Sequence, residues 1–139
     1  MNKQVKIFIA IVALLILGIV AAVMFQTKSV PAGPGKYDAF ATCLKDKGAT
    51  FYGAFWCPHC QAQEKALEAS RQTLEKIGLY VECSTADATG QLQVCTDKGI
   101  KSYPTWELAD GTIIPDDSPD GAGVKLETLA AKTGCVLPQ

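Results

Sequence analysis

Two hydrophobic patterns divide the chain. Residues 7–25 (IFIAIVALLILGIVAAVMF) carry no charged and no strongly polar side chain. In a helix with a rise of roughly 1.5 Å per residue, this run would extend about 28 Å, close to the thickness of the hydrocarbon core of a bilayer. The pattern therefore predicts one transmembrane anchor over 7–25, preceded by a short leader of residues 1–6.

The charges beside this run predict its orientation. Lys3 and Lys6 precede it, whereas Lys28 alone follows it closely. The positive-inside rule puts the leader in the cytoplasm and the C-terminal domain outside it. A cleaved signal peptide is the alternative, with small residues at 20–22, although the run exceeds the usual apolar region of about 7–15 residues. Both alternatives deliver the domain to the oxidising, extracytoplasmic side of the cell membrane.

Beyond residue 25 the pattern changes to short alternating elements. Residues 26–36 (QTKSVPAGPGK) hold two Pro, two Gly and little apolar surface, so they predict a linker. Residues 37–139 alternate helical spacing with short aromatic or branched runs, which is typical of one α/β domain. Helices are predicted at 37–47, 58–77, 91–98 and 124–133, and strands at 49–55, 79–83, 103–108 and 112–114.

Size and charge exclude several classes of protein. The chain has 139 residues, a formal net charge of −1 and 19% charged residues. It is too short for a multidomain enzyme, a nucleotide-binding domain of usual size or a polytopic transporter. Its charge provides no polybasic surface for nucleic acid. The distinctive feature that remains is the presence of six cysteines.

Residues 56–60 (Trp-Cys-Pro-His-Cys) lie where the first predicted strand gives way to a helix. Pro58 suits the first helical turn, so Cys57 is predicted at or beside the N-cap, where unpaired N–H groups and the helix dipole stabilise a thiolate. A protonated His59 would add positive charge nearby, so Pro58 and His59 are predicted to tune this thiolate. A stabilised thiolate is a good leaving group, and Cys60, one turn further in, can resolve a mixed disulfide on Cys57.

The same motif has two other interpretations, a static disulfide and half of a zinc site. A zinc site of the usual kind needs a second CxxC or a pair of histidines. The chain contains one histidine and no second CxxC. The sequence therefore predicts a redox-active pair and no metal site.

With these residues in view, the chain resembles the thioredoxin superfamily. The strings FYGAFWCPHCQAQ (51–63) and SYPTW (102–106) occur in the order that this family shows. The CPHC tetrapeptide is similar to that of DsbA-type oxidases. The longer strings, together with YVEC (80–83), are similar to the thioredoxin-like domain fused to, or partnered with, bacterial vitamin K epoxide reductase homologues.

This resemblance implies a thioredoxin-like fold, with a small central mixed β-sheet flanked by helices, and no cofactor. Cys57 would be the nucleophile and Cys60 the resolving thiol. Pro104 matches the family's cis-proline, and the backbone of Tyr103 before it would pair with substrate. Trp56 would be partly exposed beside the disulfide and contribute to substrate binding. The implied partners are protein thiols and a quinone-linked membrane enzyme of the vitamin K epoxide reductase type.

Two departures from the family pattern affect what the resemblance implies. Many thioredoxins and DsbA proteins carry a buried acid six residues before the first catalytic cysteine, and here that position is Phe51. The domain also has no room for the large helical insertion that shapes the peptide groove of DsbA. A substrate range like that of DsbA therefore does not follow from the motif.

Four cysteines remain once Cys57 and Cys60 are paired, and they allow three pairings. Cys83 and Cys95 bracket a polar loop, and a bridge between them would leave Cys43 and Cys135 to tie the two ends of the domain. Such structural disulfides are common in small domains of oxidising compartments. A second, shuttling pair that relays electrons is the alternative. The resemblance supports the Cys83–Cys95 bridge and says less about the other pair.

Three functions compete at this stage. The first is a membrane-anchored thiol–disulfide oxidase that passes disulfides to secreted proteins and is reoxidised by the membrane partner. The second is a reductase or isomerase with the same fold, and the third is a non-enzymatic binding module. The CPHC tetrapeptide favours the first, because thiolate stabilisation favours the reduced form and raises the reduction potential.

Overall fold

The structure is a computed structural model that describes residues 2–26 and 35–139. The chain divides into two compact units, residues 1–33 and residues 34–139. Most of the linker predicted at 26–36 lies outside the described residues.

The first unit contains helix α1 (Lys3–Gln26), which covers the apolar run. Large apolar side chains of this helix are exposed, among them Phe8 at 69% and Leu14 at 71%. Counting only the residues that the structure describes, no helix is both long enough and apolar enough to cross a membrane. The structure therefore has a helix at this position but does not confirm the transmembrane anchor predicted over 7–25.

The second unit has its helices and strands in the order that the hydrophobic pattern predicts, except that two helices replace the one predicted over 58–77. Its elements are α2 (Asp38–Asp46), β1 (Thr50–Gly53), α3 (Pro58–Ala66), α4 (Arg71–Lys76), β2 (Tyr80–Glu82), α5 (Gln93–Asp97), β3 (Thr105–Glu107), β4 (Ile113–Ile114) and α6 (Leu126–Thr133). The strands are shorter than the runs that predicted them, because each run includes flanking loop residues.

The four strands form one mixed sheet in the order β2-β1-β3-β4. Strand β1 pairs parallel with β2, placing Phe51 opposite Tyr80, and antiparallel with β3, placing Tyr52 opposite Thr105. Strand β4 pairs antiparallel with β3 and completes the hairpin that the Asp110–Gly111 turn predicts. The mixed sheet with helices is the thioredoxin-like α/β fold that the resemblance implied.

The hydrophobic core is built around the central strand β1. Phe51 is fully buried, stacks on Trp106 at 5.0 Å between ring centroids and meets Tyr80 edge-on at 4.9 Å. Leu44 of α2 and Leu129 of α6 are also fully buried in this cluster. Burial of large apolar side chains of this kind contributes about 1.5–3 kcal/mol each. The aromatic contacts fix β1 between its two neighbours.

The helix predicted over 58–77 is wrong in one respect, because the structure has two helices there. The helix α3 ends at Ala66, and Glu68 adopts a left-handed backbone with φ of 50°. Ser70 then starts α4, and its hydroxyl accepts a hydrogen bond from the Thr73 N–H at 3.3 Å. A serine N-cap that supplies a partner for a free N–H begins a new helix. The composition of the segment, rich in helix formers, concealed this break.

Two disulfides close the domain. Cys43 is joined to Cys135 and Cys83 to Cys95, with Cα–Cα distances of 5.9 Å and 5.5 Å. The sequence left this pairing as one of three. The first bridge connects α2 with the segment after α6, and the second connects the end of β2 with α5.

The two disulfides should contribute unequally to stability. Cross-linking lowers the entropy of the unfolded chain more for a longer loop, and the separations are 92 and 12 residues. We expect C43A/C135A to lower the free energy of unfolding by about 4–5 kcal/mol and C83A/C95A by about 2–3 kcal/mol. Denaturant unfolding of both double variants beside the parent protein measures this. An equal or larger loss for the shorter loop would contradict the entropic account.

Candidate active site

The end of β1 delivers Cys57 to the start of α3. After Gly53 the chain turns, and the Cys57 N–H donates to the Ala54 carbonyl at 2.9 Å. Cys57 has an extended backbone (φ −77°, ψ 120°) and is the N-cap of α3, with Pro58 directly after it at the first helical position. The first N–H groups of a helix have no partner within the helix, so they and the helix dipole favour negative charge near the Cys57 sulfur.

The two cysteines of the motif are free thiols in different surroundings. Cys57 is 5% exposed and Cys60 is fully buried. Burial raises the pKa of Cys60 well above its usual range, against a backbone hydrogen bond from Ala54 that lowers it, and negative charge on Cys57 raises it further. The raised pKa of Cys60 favours its neutral thiol, and Cys57 is the more exposed thiol of the pair.

A cis peptide bond joins Tyr103 to Pro104, just before β3 begins. The antiparallel pairing of β1 with β3 brings this turn to the same sheet edge as the end of β1. The Cys57 thiol is 3.6 Å from the Tyr103 carbonyl oxygen, to which it donates a hydrogen bond. The structure thus brings Cys57, Tyr103 and Pro104 together, as the resemblance implied.

Trp56 and Tyr103 form an aromatic pair beside Cys57. Their ring centroids lie 6.3 Å apart with an interplanar angle of 80°, and Trp56 is 49% exposed. The Trp56 indole N–H donates to the Ser84 hydroxyl at 2.8 Å, and the Tyr103 hydroxyl accepts from the Gln91 side-chain amide at 2.6 Å. Each ring is therefore held at its polar end, while the indole face stays available to a ligand.

His59 lies on the first turn of α3 and is exposed. Its ring faces Gly121, where an added Cβ would lie 3.3 Å from His59 Cε1 and 3.9 Å from the Asp116 carboxylate. Gly121 has a φ of 69°, a left-handed conformation that glycine adopts without cost. The loop that carries Asp116 and Gly121 thus lies against the imidazole of His59.

Gln63 is a site residue that the sequence analysis missed. It is 1% exposed, and its Oε1 accepts from the Trp106 indole at 3.3 Å and from the Val124 N–H at 2.8 Å. A Cβ at Gly123 would clash with Gln63 Oε1 and touch the Pro104 ring. Gln63 therefore ties α3 to β3 and to the segment before α6. Its position three residues after Cys60, on the inward face of α3, was the available signal.

Carboxylates lie near the buried thiol, although the family's acid position is occupied by Phe51. Glu64 follows Cys60 by one turn of α3; burial raises its pKa, and its negative charge adds to the raised pKa of Cys60. Glu82 of β2 accepts from the Phe55 N–H at 3.2 Å and from the Tyr80 hydroxyl at 3.2 Å. The core position of Phe51 thus carries no charge, and the carboxylate whose charge acts on Cys60 is Glu64 of α3.

Within residues 2–26 and 35–139, no three His, Cys, Asp or Glu side chains are grouped as metal ligands would be. Cys43, Cys83, Cys95 and Cys135 are consumed in the two disulfides. Cys57 and Cys60 are free thiols, so the site brings two neighbouring thiols together.

Comparison with known proteins agrees with this geometry. The thioredoxin family model matches residues 38–132. The chain is 34% identical over 104 residues to the thiol-disulfide oxidoreductase LTO1 of Arabidopsis thaliana, an alignment that covers 73% of this chain and 25% of that protein. It is also 27% identical over 81 residues to a glutaredoxin-type protein of Mycobacterium tuberculosis, covering 58% of this chain and 92% of that protein. The chain spans about a quarter of the length of the Arabidopsis relative.

Alkylation should distinguish the two thiols of the motif. Because burial raises the pKa of Cys60 and removes it from solvent, we expect iodoacetamide at neutral pH to modify Cys57 alone in the reduced protein. Mass spectrometry of the peptide that holds both residues reads the site of modification.

Two variants control this experiment. C60S should be labelled as the parent protein is, and C57S should stay unlabelled until it is unfolded in denaturant. Labelling of Cys60 before Cys57 in the folded protein would reverse the two roles.

Proposed function

Because the chain belongs to the thioredoxin family, we propose that it is a thiol–disulfide oxidoreductase that works as a disulfide donor through Cys57 and Cys60. The observation that carries this proposal is the asymmetry of the pair. Cys57 lies at the N-terminus of α3 against the Tyr103 carbonyl, and Cys60 is buried behind it with a raised pKa. The name of the Arabidopsis relative, a thiol-disulfide oxidoreductase, supports the same reaction.

In this reaction a substrate thiolate attacks Cys57 of the oxidised pair. The Cys57–Cys60 bond breaks, a mixed disulfide forms on Cys57, and Cys60 leaves with the electron pair and takes up a proton. The second thiolate of the substrate then attacks the substrate sulfur that is bonded to Cys57. The substrate disulfide forms, and Cys57 is released as a thiolate. The substrate has lost two electrons and two protons; the domain has gained both electrons and one proton, on Cys60, and the other proton passes to solvent.

The surroundings of Cys60 protect the mixed disulfide once it has formed. A mixed disulfide on Cys57 can be lost if Cys60 attacks it, which requires the Cys60 thiolate. Burial raises the pKa of Cys60, and Phe51 supplies no base at the position where many relatives have one. The mixed disulfide should therefore persist until the second thiol of the substrate arrives, as disulfide donation requires.

We propose that the domain works outside the cytoplasm, at the cell membrane. The Cys43–Cys135 and Cys83–Cys95 disulfides support this, because structural disulfides persist in oxidising compartments. Reoxidation needs an acceptor for two electrons and two protons. In our proposal a quinone-linked membrane enzyme of the vitamin K epoxide reductase type takes them, and secreted proteins are the thiol substrates.

The reduction potential tests the direction of transfer. Thiolate stabilisation at the N-terminus of α3 should make the Cys57–Cys60 couple more oxidising than thioredoxin, at about −270 mV, and move it towards DsbA, at about −120 mV. Titration against glutathione, followed by tryptophan fluorescence, measures the potential. A value at or below that of thioredoxin would overturn the oxidase proposal and favour a reductase.

The charge of His59 should contribute to this potential. We expect His59→Ala to lower the potential by about 30 mV, because the reduced form loses a cation near the Cys57 thiolate. Lys65→Ala, which removes a cation further along the same helix, is the matched control and should leave the potential unchanged. Equal shifts in the two variants would show that His59 has no local effect.

Reoxidation tests the membrane partner. The reduced full-length chain is mixed with proteoliposomes that hold a bacterial vitamin K epoxide reductase homologue and a quinone. We expect the Cys57–Cys60 disulfide to reform only when both are present, and C57S to remain reduced at Cys60. Reoxidation at the same rate with quinone-free proteoliposomes would contradict this partner.

A further inference from the structure

The loop of residues 84–91, between β2 and α5, is closed at its base. Ser84 and Gln91 face each other as an antiparallel bridge, and the Leu92 N–H donates to the Cys83 carbonyl at 2.7 Å. The Cys83–Cys95 disulfide joins the two chain segments just outside this bridge. The 84–91 loop is therefore held at both ends, and each of its end residues reaches the active site.

The first end residue holds the indole. Ser84 is 5% exposed, and its hydroxyl accepts from Trp56 Nε1 at 2.8 Å while donating to the Thr85 carbonyl at 3.0 Å. The Ser84 N–H donates to Glu82 at 2.9 Å, and the same carboxylate oxygen accepts from the Phe55 N–H at 3.2 Å. The Glu82 carboxylate thus holds both Phe55, the residue before Trp56, and Ser84, the hydrogen-bond partner of the Trp56 ring.

The other end residue holds the phenol. The Gln91 side-chain amide donates to the Tyr103 hydroxyl at 2.6 Å and to the Ile100 carbonyl at 2.8 Å, and its oxygen accepts from the Thr96 hydroxyl at 3.2 Å. With three partners this amide has one orientation. Tyr103 is therefore fixed at its hydroxyl by Gln91 and at its carbonyl by the Cys57 thiol.

We propose that Ser84 and Gln91 are positioning residues for the polypeptide substrate, acting through Trp56 and Tyr103, and that the Cys83–Cys95 disulfide maintains this arrangement. The inference rests on the function proposed above. The two rings then form a preset apolar surface beside Cys57, which suits a substrate with an aromatic or aliphatic side chain next to its reacting cysteine. Fixing the rings in advance lowers the entropy lost when such a side chain binds.

The test compares a protein substrate with a small one. Reduced, unfolded ribonuclease A should use the aromatic surface, whereas dithiothreitol needs only the Cys57–Cys60 disulfide. Loss of one hydrogen bond to a ring should raise KM for the ribonuclease about threefold to tenfold in Ser84→Ala and in Gln91→Leu. The kcat with ribonuclease and the rate with dithiothreitol should not change.

Gln93→Leu is the matched control for Gln91→Leu, because Gln93 is exposed and bonds only the Asp97 carboxylate, at 2.6 Å, among the described residues. It should behave as the parent protein does. The disulfides provide a second matched pair: C83A/C95A should raise KM for ribonuclease as Ser84→Ala does, and C43A/C135A should not.

A double-mutant cycle shows whether Ser84 acts through the indole. Because Ser84→Ala removes the hydrogen bond to the indole, it should also change the fluorescence of Trp56 in the otherwise unaltered protein. In a Trp56→Phe background, Ser84→Ala should neither raise KM nor change the fluorescence. If the parent protein oxidises neither thiol substrate, the proposed function itself fails. If the parent is active and Ser84→Ala and Gln91→Leu match Gln93→Leu in KM and fluorescence, the positioning inference is overturned and the function stands.

Discussion

The antiparallel pairing of β1 with β3 is the constraint on which the active site depends. In this pairing the last residues of β1 lie beside the first residues of β3, with Tyr52 opposite Thr105. The segment that leaves β1 towards α3 and the segment that enters β3 through the cis peptide therefore meet at one edge of the sheet. A slip of one residue would turn Phe51 and Trp106 out of the core, so the aromatic stack that stabilises the sheet also sets the distance from Cys57 to Tyr103.

At this edge of the sheet, the electrostatic surroundings of Cys57 and Cys60 make two chemically identical thiols different. Cys57 is at the helix terminus, where backbone N–H groups face it, and Cys60 is one turn into the helix, where water does not reach. The difference needs no specialised side chain, since it follows from one turn of helix and the depth of the core beneath it. The Glu64 carboxylate adds to a difference that the backbone has already created.

Local signals predicted most of the fold, and long-range contacts account for what was missed. The alternation of elements and the CPHC motif are read within short windows, so the sheet, the motif helix and the hairpin followed from the sequence. The break between α3 and α4 at Glu68 did not follow from the sequence, because a single unusual φ leaves no pattern of hydrophobic and polar residues. The contacts of Ser84 with Trp56, and of Gln63 with Trp106, join residues 28 and 43 positions apart, and no spacing rule connects such pairs.

The Cys43–Cys135 disulfide has a mechanical consequence. It encloses a separation of 92 residues, including every strand of the sheet. Tension applied to the chain before Cys43 and after Cys135 would pass through the sulfur bridge and bypass the sheet. At roughly 3.4 Å per residue, about 300 Å of chain would be withheld from extension. Force applied to the chain on the two sides of this bridge would therefore leave the sheet edge that carries Cys57 without load.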